Sequence, residues 1–162
     1  MECMTVEAIL EFWFDPNPED AAVAKEKSAL WWSKNPQIDS EIRRRFEISV
    51  IRAAADELSD WRSNPRGCLA LILLTDQFPR NIYRDSPRAF AQDPKALAWS
   101  LDGIAEGLDT KLRPIERVFF YLPLEHSESL DQQDRSVKQF RQLVDAVGTD
   151  QKNVFAEYLD FA

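Results

Sequence analysis

Asn64-Pro65-Arg66-Gly67-Cys68-Leu69-Ala70-Leu71-Ile72-Leu73-Leu74-Thr75-Asp76-Gln77-Phe78-Pro79-Arg80-Asn81 is the stretch that decides the fold. An asparagine can accept the free amides of a first helical turn, and a proline just after it starts a helix without losing a hydrogen bond. From Cys68 to Leu74 the residues are apolar all round the expected helix, which predicts a central, buried element. That apolar run is too short to span a bilayer. Pro79 then disrupts the ladder, and Asp76, Gln77, Arg80, Asn81 and Arg84 follow directly on the most hydrophobic helix of the chain.

The same helical spacing extends in both directions. Thr5 reads as the cap of a first helix with Val6, Ile9, Leu10 and Trp13 on one face, ended by Asp15-Pro16-Asn17-Pro18. Residues 19–33 read as a second helix. Asp39 is expected to cap a third, with Ile42, Phe46, Val50, Ala54 and Leu58 recurring every fourth position and Arg43, Arg44 and Arg45 exposed. Asp93-Pro94 repeats the cap-proline pattern ahead of a stripe of Leu97, Leu101, Ile104 and Leu108. Arg113-Pro114 opens a short apolar helix over 115–122, stopped by Pro123. A longer helix is expected from about Ser127, with Leu130, Val137, Phe140, Val144 and Val147 on one seam, and a last helical segment over 153–162. No stretch alternates with the two-residue period of a half-buried strand. The expected fold is all-α, a single compact domain over residues 1–162 with about seven or eight helices, and Leu71, Leu74, Phe46, Leu101 and Phe119 in its core.

Composition agrees. Of 162 residues 44% are hydrophobic and 30% charged, and only four are glycine, too few for the tight turns of an all-β sandwich. The net charge of −8 repels phosphate backbones and anionic lipid, so neither nucleic acid nor membrane is an expected partner. Cys3, at an expected frayed start, and Cys68, inside the apolar run, form no disulfide framework. With no signal peptide pattern, the expected setting is cytoplasmic.

Two stretches could carry chemistry. The first is the polar set after the buried helix, which must be satisfied internally, as an Arg–Asp brace, or open into a cleft. The second is Leu124-Glu125-His126-Ser127-Glu128, which holds the only histidine, placed between carboxylates at a proline-marked break. A carboxylate beside an imidazole fixes its tautomer, the arrangement of a general base; the plainer reading makes Ser127 a helix cap. One histidine and no paired cysteines give no zinc set, and no calcium loop, glycine-rich phosphate loop or nucleophile elbow is present, so no metal or cofactor is expected. Trp13-Phe14 and Trp31-Trp32 read first as core and second as the wall of an apolar groove.

These motifs carry a resemblance. Leu73-Leu74-Thr75-Asp76-Gln77-Phe78-Pro79-Arg80-Asn81-Ile82-Tyr83-Arg84, Ala89-Phe90-Ala91-Gln92-Asp93 and Phe120-Tyr121-Leu122-Pro123-Leu124-Glu125-His126-Ser127-Glu128 resemble the bacterial DUF924 family, as do Ile9-Leu10-Glu11-Phe12-Trp13-Phe14 and Ile42-Arg43-Arg44-Arg45-Phe46. The resemblance covers essentially the whole chain. It implies an all-helical, tetratricopeptide-like fold, no established activity, and motif residues at Asp76, Gln77, Pro79, Arg80, Asn81, His126, Ser127 and Glu128. It also implies a later Phe-Pro-His-Arg-Asn-like segment. The chain stops at Phe161-Ala162, so the expectation is a C-terminus truncated relative to the fold, with apolar surface open near Tyr158 and Phe161.

The favoured functional expectation is a helical binding module whose polar cleft takes a peptide or a small polar or anionic ligand. Asp76, Gln77, Arg80, Asn81, Arg84, Glu125 and Ser127 would supply the contacts. The alternative is a small acid–base or hydrolytic enzyme with His126 as base, Glu128 or Glu125 orienting it, and Arg80 holding an anionic group. A third reading makes both clusters internal braces of a structural partner protein. The cleft readings require Asp76, Arg80 and His126 to converge on one cavity.

Overall fold

The computed structural model describes residues 4–161, and all regular structure among them is helical: ten α-helices and three short 3₁₀ turns. The expected frayed start at Cys3 and the last residue, Ala162, lie outside the described residues. The helices are α1 (Val6–Phe14), α2 (Asp20–Glu26), α3 (Ser28–Trp32), α4 (Pro36–Ala54), α5 (Pro65–Thr75), α6 (Gln77–Ile82), α7 (Asp93–Ala105), α8 (Pro114–His126), α9 (Leu130–Ala146) and α10 (Lys152–Phe161). None is long and apolar enough to cross a membrane.

The cap at Asn64 forms as expected: its side-chain oxygen accepts the amides of Arg66 (3.0 Å) and Gly67 (3.2 Å). The α5 it starts is the hub of the fold. Residues 69–75 have no exposed surface, and α5 packs against α1, α4, α6, α7 and α8. Cys68 is buried, and burial, helped by Glu106 and Asp102, pushes its thiol up to about 12. Thr5 caps α1 by accepting the Ala8 amide (3.1 Å). Trp13, Phe14 and Trp31 gather edge-to-face around Phe119, with ring centroids 5.6, 5.5 and 4.7 Å away. Of the two aromatic pairs only Trp32 stays half exposed, at 49%.

Several boundaries differ from the sequence expectation, each for a local reason. The segment 19–33 divides at Lys27 into α2 and α3, and Trp31 reaches the core, where its indole donates to the Trp13 carbonyl (3.0 Å). Helix α4 begins at Pro36, because Asn35 rather than Asp39 supplies the cap, accepting the Gln37 amide (2.9 Å). Pro79 does not end a helix. It sits in the first turn of α6, where a missing N–H costs nothing, and it forces the break back to Asp76.

Asp93 is the first residue of α7 and not its cap, which is Gln92. The stripe expected on α7 is also corrected: Leu97, Leu101 and Ile104 are only half-buried, and Ala96, Trp99, Ser100 and Gly103 face the core. The cause is a close crossing with α8. A Cβ at Gly103 would lie 2.4 Å from the Phe120 ring, and the Ser100 hydroxyl donates to the Phe120 carbonyl (2.6 Å). Small residues permit that approach, and the larger leucines flank it.

Helix α8 does not stop at Pro123 but runs through it to His126. Ser127 therefore terminates α8 instead of starting α9, and its hydroxyl accepts the Ser129 amide (3.2 Å). Helix α9 starts at Leu130, which is exposed, and its seam is Ser136, Phe140 and Leu143, with Val147 buried just past its end. On α10, Phe155 is fully buried, Tyr158 half-buried and Phe161 81% exposed.

Candidate functional site

The α5–α6 break places one carboxylate fully inside the molecule. Asp76 still donates its amide to the Ile72 carbonyl (2.8 Å), so it closes α5, while its side chain, with no exposed surface, leaves the helical path. Gln77 Nε2 donates to its Oδ2 (2.9 Å), and Arg80 Nη1 donates to its Oδ1 (3.1 Å) and to its main-chain oxygen (2.6 Å). The same guanidinium grips Asp93 in bidentate fashion (2.9 and 3.0 Å) and lies over the Phe90 ring, 5.2 Å from its centroid. Burying Asp76 is tolerable because every lone pair that can be reached is met by a donor.

The last turn of α8 completes the arrangement. Because that helix continues through Pro123, His126 stands at its end with Nδ1 2.7 Å from Asp76 Oδ1. With Gln77 and Arg80 donating to Asp76, the carboxylate is an acceptor, which makes Nδ1 the donor; in the neutral ring Nε2 then carries the lone pair. Nε2 has no hydrogen-bond partner among the described residues. His126 lines a cavity of about 180 Å³, shared with Trp32, Leu122, Glu125, Phe140 and Tyr158, and edged by Phe161. Such a nitrogen can accept a proton or a hydrogen bond from whatever occupies the cavity.

Two further groups border that space. Burial pushes the Glu125 carboxyl above its ordinary value of 4.5; His126 pulls it back and Asp76 adds to the rise. Its carboxylate makes no hydrogen bond or ion pair among the described residues. Burial, reinforced by Glu157, raises the Tyr158 hydroxyl to about 12, against the pull of the neighbouring Trp32 indole.

Asp76, Arg80 and His126 are thus joined in one network, but only His126 opens on the cavity. Arg80 lines a different hollow with Arg84, Ala89 and Phe90, and its charge is spent on Asp76 and Asp93. Asn81 (2.9 Å) and Arg84 (2.8 and 3.1 Å) donate to Asp39 and tie α6 to α4. Burial pushes the Asp39 carboxyl up, and the bonds from Arg84 and Asn81 outweigh it and hold the group below 3.8. Asp39, expected as a cap, is a tertiary anchor. Glu128 is exposed and outside the cavity lining, and Ser127 serves the turn into α9. The residue orienting His126 is therefore Asp76 and neither Glu125 nor Glu128, a correction with a simple cause: the α5–α6 break aims Asp76 at the imidazole Nδ1, whereas Glu125 makes no hydrogen bond to the ring and Glu128 lies exposed beyond the end of α8.

Sequence reasoning missed Trp32, Leu122, Phe140 and Tyr158 as cavity walls, and Asp93 as the partner of Arg80. Trp32 carried a signal in the second reading of the Trp31-Trp32 pair, and Tyr158 in the apolar surface expected to be open near it and Phe161. Among the described residues no group of three or more His, Cys, Asp or Glu side chains is placed to hold a metal.

Comparison with known proteins adds a family and a fold. The model of a family described as bacterial protein of unknown function, DUF924, matches residues 9–162. A solved structure of a protein of unknown function from Agrobacterium tumefaciens is similar at 31% sequence identity with a TM-score of 0.74, the match covering 96% of this chain and 80% of that one. No curated protein matches the chain.

Proposed function

The chain belongs to the DUF924 family, and from that premise we propose that it binds a small ligand in the cavity beside His126, with the imidazole Nε2 as the polar contact. The observation that carries the proposal is the 2.7 Å contact from Asp76 to Nδ1. It fixes the ring and leaves the other nitrogen unpaired at the rim of an apolar-walled space, the usual build of a small-molecule site. A volume of about 180 Å³ suits a small molecule better than a peptide. The net charge of −8 favours such a ligand over nucleic acid. A single helical domain, supported by the one hydrophobic core, and a bacterial setting, supported by the family description, are part of the same proposal, which also takes the packing as tetratricopeptide-like and the setting as cytoplasmic.

A thermal-shift screen against a metabolite library tests it, because any ligand of the native state raises its melting temperature. Hits are expected to stabilise the wild type and to lose their effect in His126→Gln. Hits that stabilise both proteins equally would place binding elsewhere.

The second reading is acid–base catalysis, favoured by the same Asp76–His126 pair, which has the geometry of an oriented general base. In that reading Asp76 holds the tautomer, His126 Nε2 takes the proton, and Arg80 acts only through Asp76. It predicts that a ligand found in the screen is chemically altered by the wild type and left intact by His126→Gln.

A further inference from the structure

The cavity's free polar groups differ in kind from its walls. The Glu125 carboxylate accepts, as does His126 Nε2 in the neutral ring, and neither has a partner among the described residues. Trp32, Phe140, Tyr158 and Phe161 supply aromatic surface around them. No lysine or arginine lines the cavity, and the guanidinium of Arg80, on the far side of Asp76 from His126 in the network, is already bound to Asp76 and Asp93.

We propose, building on the ligand-cavity reading above, that this site takes a small organic ammonium ion, its N–H groups shared between Glu125 and His126 Nε2 and its apolar body held among Trp32, Phe140 and Tyr158. An ammonium group brings donors and no acceptor, the complement of the Glu125 carboxylate and of Nε2 in the neutral His126 ring. Aromatic faces attract a cation that leaves water, and the overall negative field of the protein draws it in. A bound cation would also relieve the cost of keeping an unpaired carboxylate at Glu125 in a partly dry place, the cost visible as its raised pKa. Size is consistent: an apolar cavity of about 150 Å³ is enough to take benzene, so one of about 180 Å³ suits an amine with a body of that size.

The test uses the full chain labelled with nitrogen-15, following the ring signals of His126, the sole histidine, and the indole signal of Trp32 during titration at neutral pH. Three probes share a ring and differ in charge: benzylammonium, benzyl alcohol and benzoate. Benzylammonium is expected to shift both signals to saturation and to bind about tenfold or more tighter than either of the others. Glu125→Gln should remove that preference and leave the affinity for benzyl alcohol unchanged, while Glu125→Asp, which keeps the charge, should keep the preference. Equal or tighter binding of benzoate or benzyl alcohol, or an unchanged amine affinity in Glu125→Gln, would overturn the ammonium assignment and leave the ligand cavity standing. If none of the three probes moves the His126 and Trp32 signals, the ligand-cavity reading falls with it.

Discussion

His126 Nδ1 and Asp76 Oδ1 lie 2.7 Å apart although fifty residues separate them along the chain. The contact joins the end of α8 to the break between α5 and α6, and it is made by a carboxylate that also serves Gln77 and Arg80. Asp76→Asn would set a donor where three donors converge. It should cost about 2–4 kcal/mol, because it leaves buried polar groups facing one another unpaired. His126→Gln removes only one of the three and should cost about 1 kcal/mol. Urea midpoints of the two variants check the order; an Asp76→Asn protein as stable as wild type would mean that the network contributes little.

Glu125 gives a pH signature of the opposite sign from an ordinary paired carboxylate. Its folded-state pKa is raised above 4.5 by burial, so the fold binds the proton more tightly than the unfolded chain does. Its contribution to stability is full below about pH 4.5 and is lost as pH rises through the elevated value. Glu125→Gln should therefore match the wild type in acid and exceed it in stability at neutral pH. Denaturation curves at both pH values measure this, and a variant less stable at neutral pH would contradict it.

Leu71 has no exposed surface and lies midway along the central helix. Leu71→Ala should cost about 2–5 kcal/mol from lost transfer energy and the cavity left behind. A loss below about 1 kcal/mol in chemical denaturation would show that the helix can collapse around the gap.

Two glycines should respond differently to alanine. At Gly67 a Cβ would lie 2.3 Å from the Trp61 carbonyl oxygen, a backbone atom of the 3₁₀ turn Ser59–Ser63 that packs on α5. Gly67→Ala should cost about 2–3 kcal/mol, since the turn must move away from the helix. Gly107 has φ +75° and nothing within 4 Å, so alanine meets only the left-handed backbone penalty, about 1 kcal/mol. Thermal unfolding of the pair would rank them, and the reverse order would refute the steric account.

The helical class and the central helix were legible because proline, cap residues and three-and-four spacing are local signals. Asn64 and Thr5 acted as their residue types suggest. The boundaries at Asp39, Asp93 and Ser127 were not legible, since each could cap a helix and each was diverted, two of them to arginines distant in sequence. The α7 stripe failed for another reason: periodicity identifies a large apolar face, but it does not reveal that α8 approaches closely enough to demand Ala96, Ser100 and Gly103. In the site, the prominence of Asp76 and His126 was readable from residue type and placement. Their direct contact required α8 to continue through Pro123, and the cavity walls come from α3, α9 and α10, whose docking no local pattern encodes.

The enclosure of α5 has a consequence for the order in which the chain can become structured during synthesis. Its partners lie on both sides of it in sequence: α1 and α4 come before, whereas α7 and α8 come after. When the ribosome has released the chain only as far as Ile82, the sides of α5 that α7 and α8 will cover still face solvent. Those sides include Cys68, which lies near Gly103, and leucines with no exposed surface in the finished fold. A nascent chain at that length would present the kind of apolar surface that hydrophobic-binding chaperones take, until α8 has emerged to cover it. A pause in translation between α6 and α8 would lengthen the interval in which aggregation competes with folding.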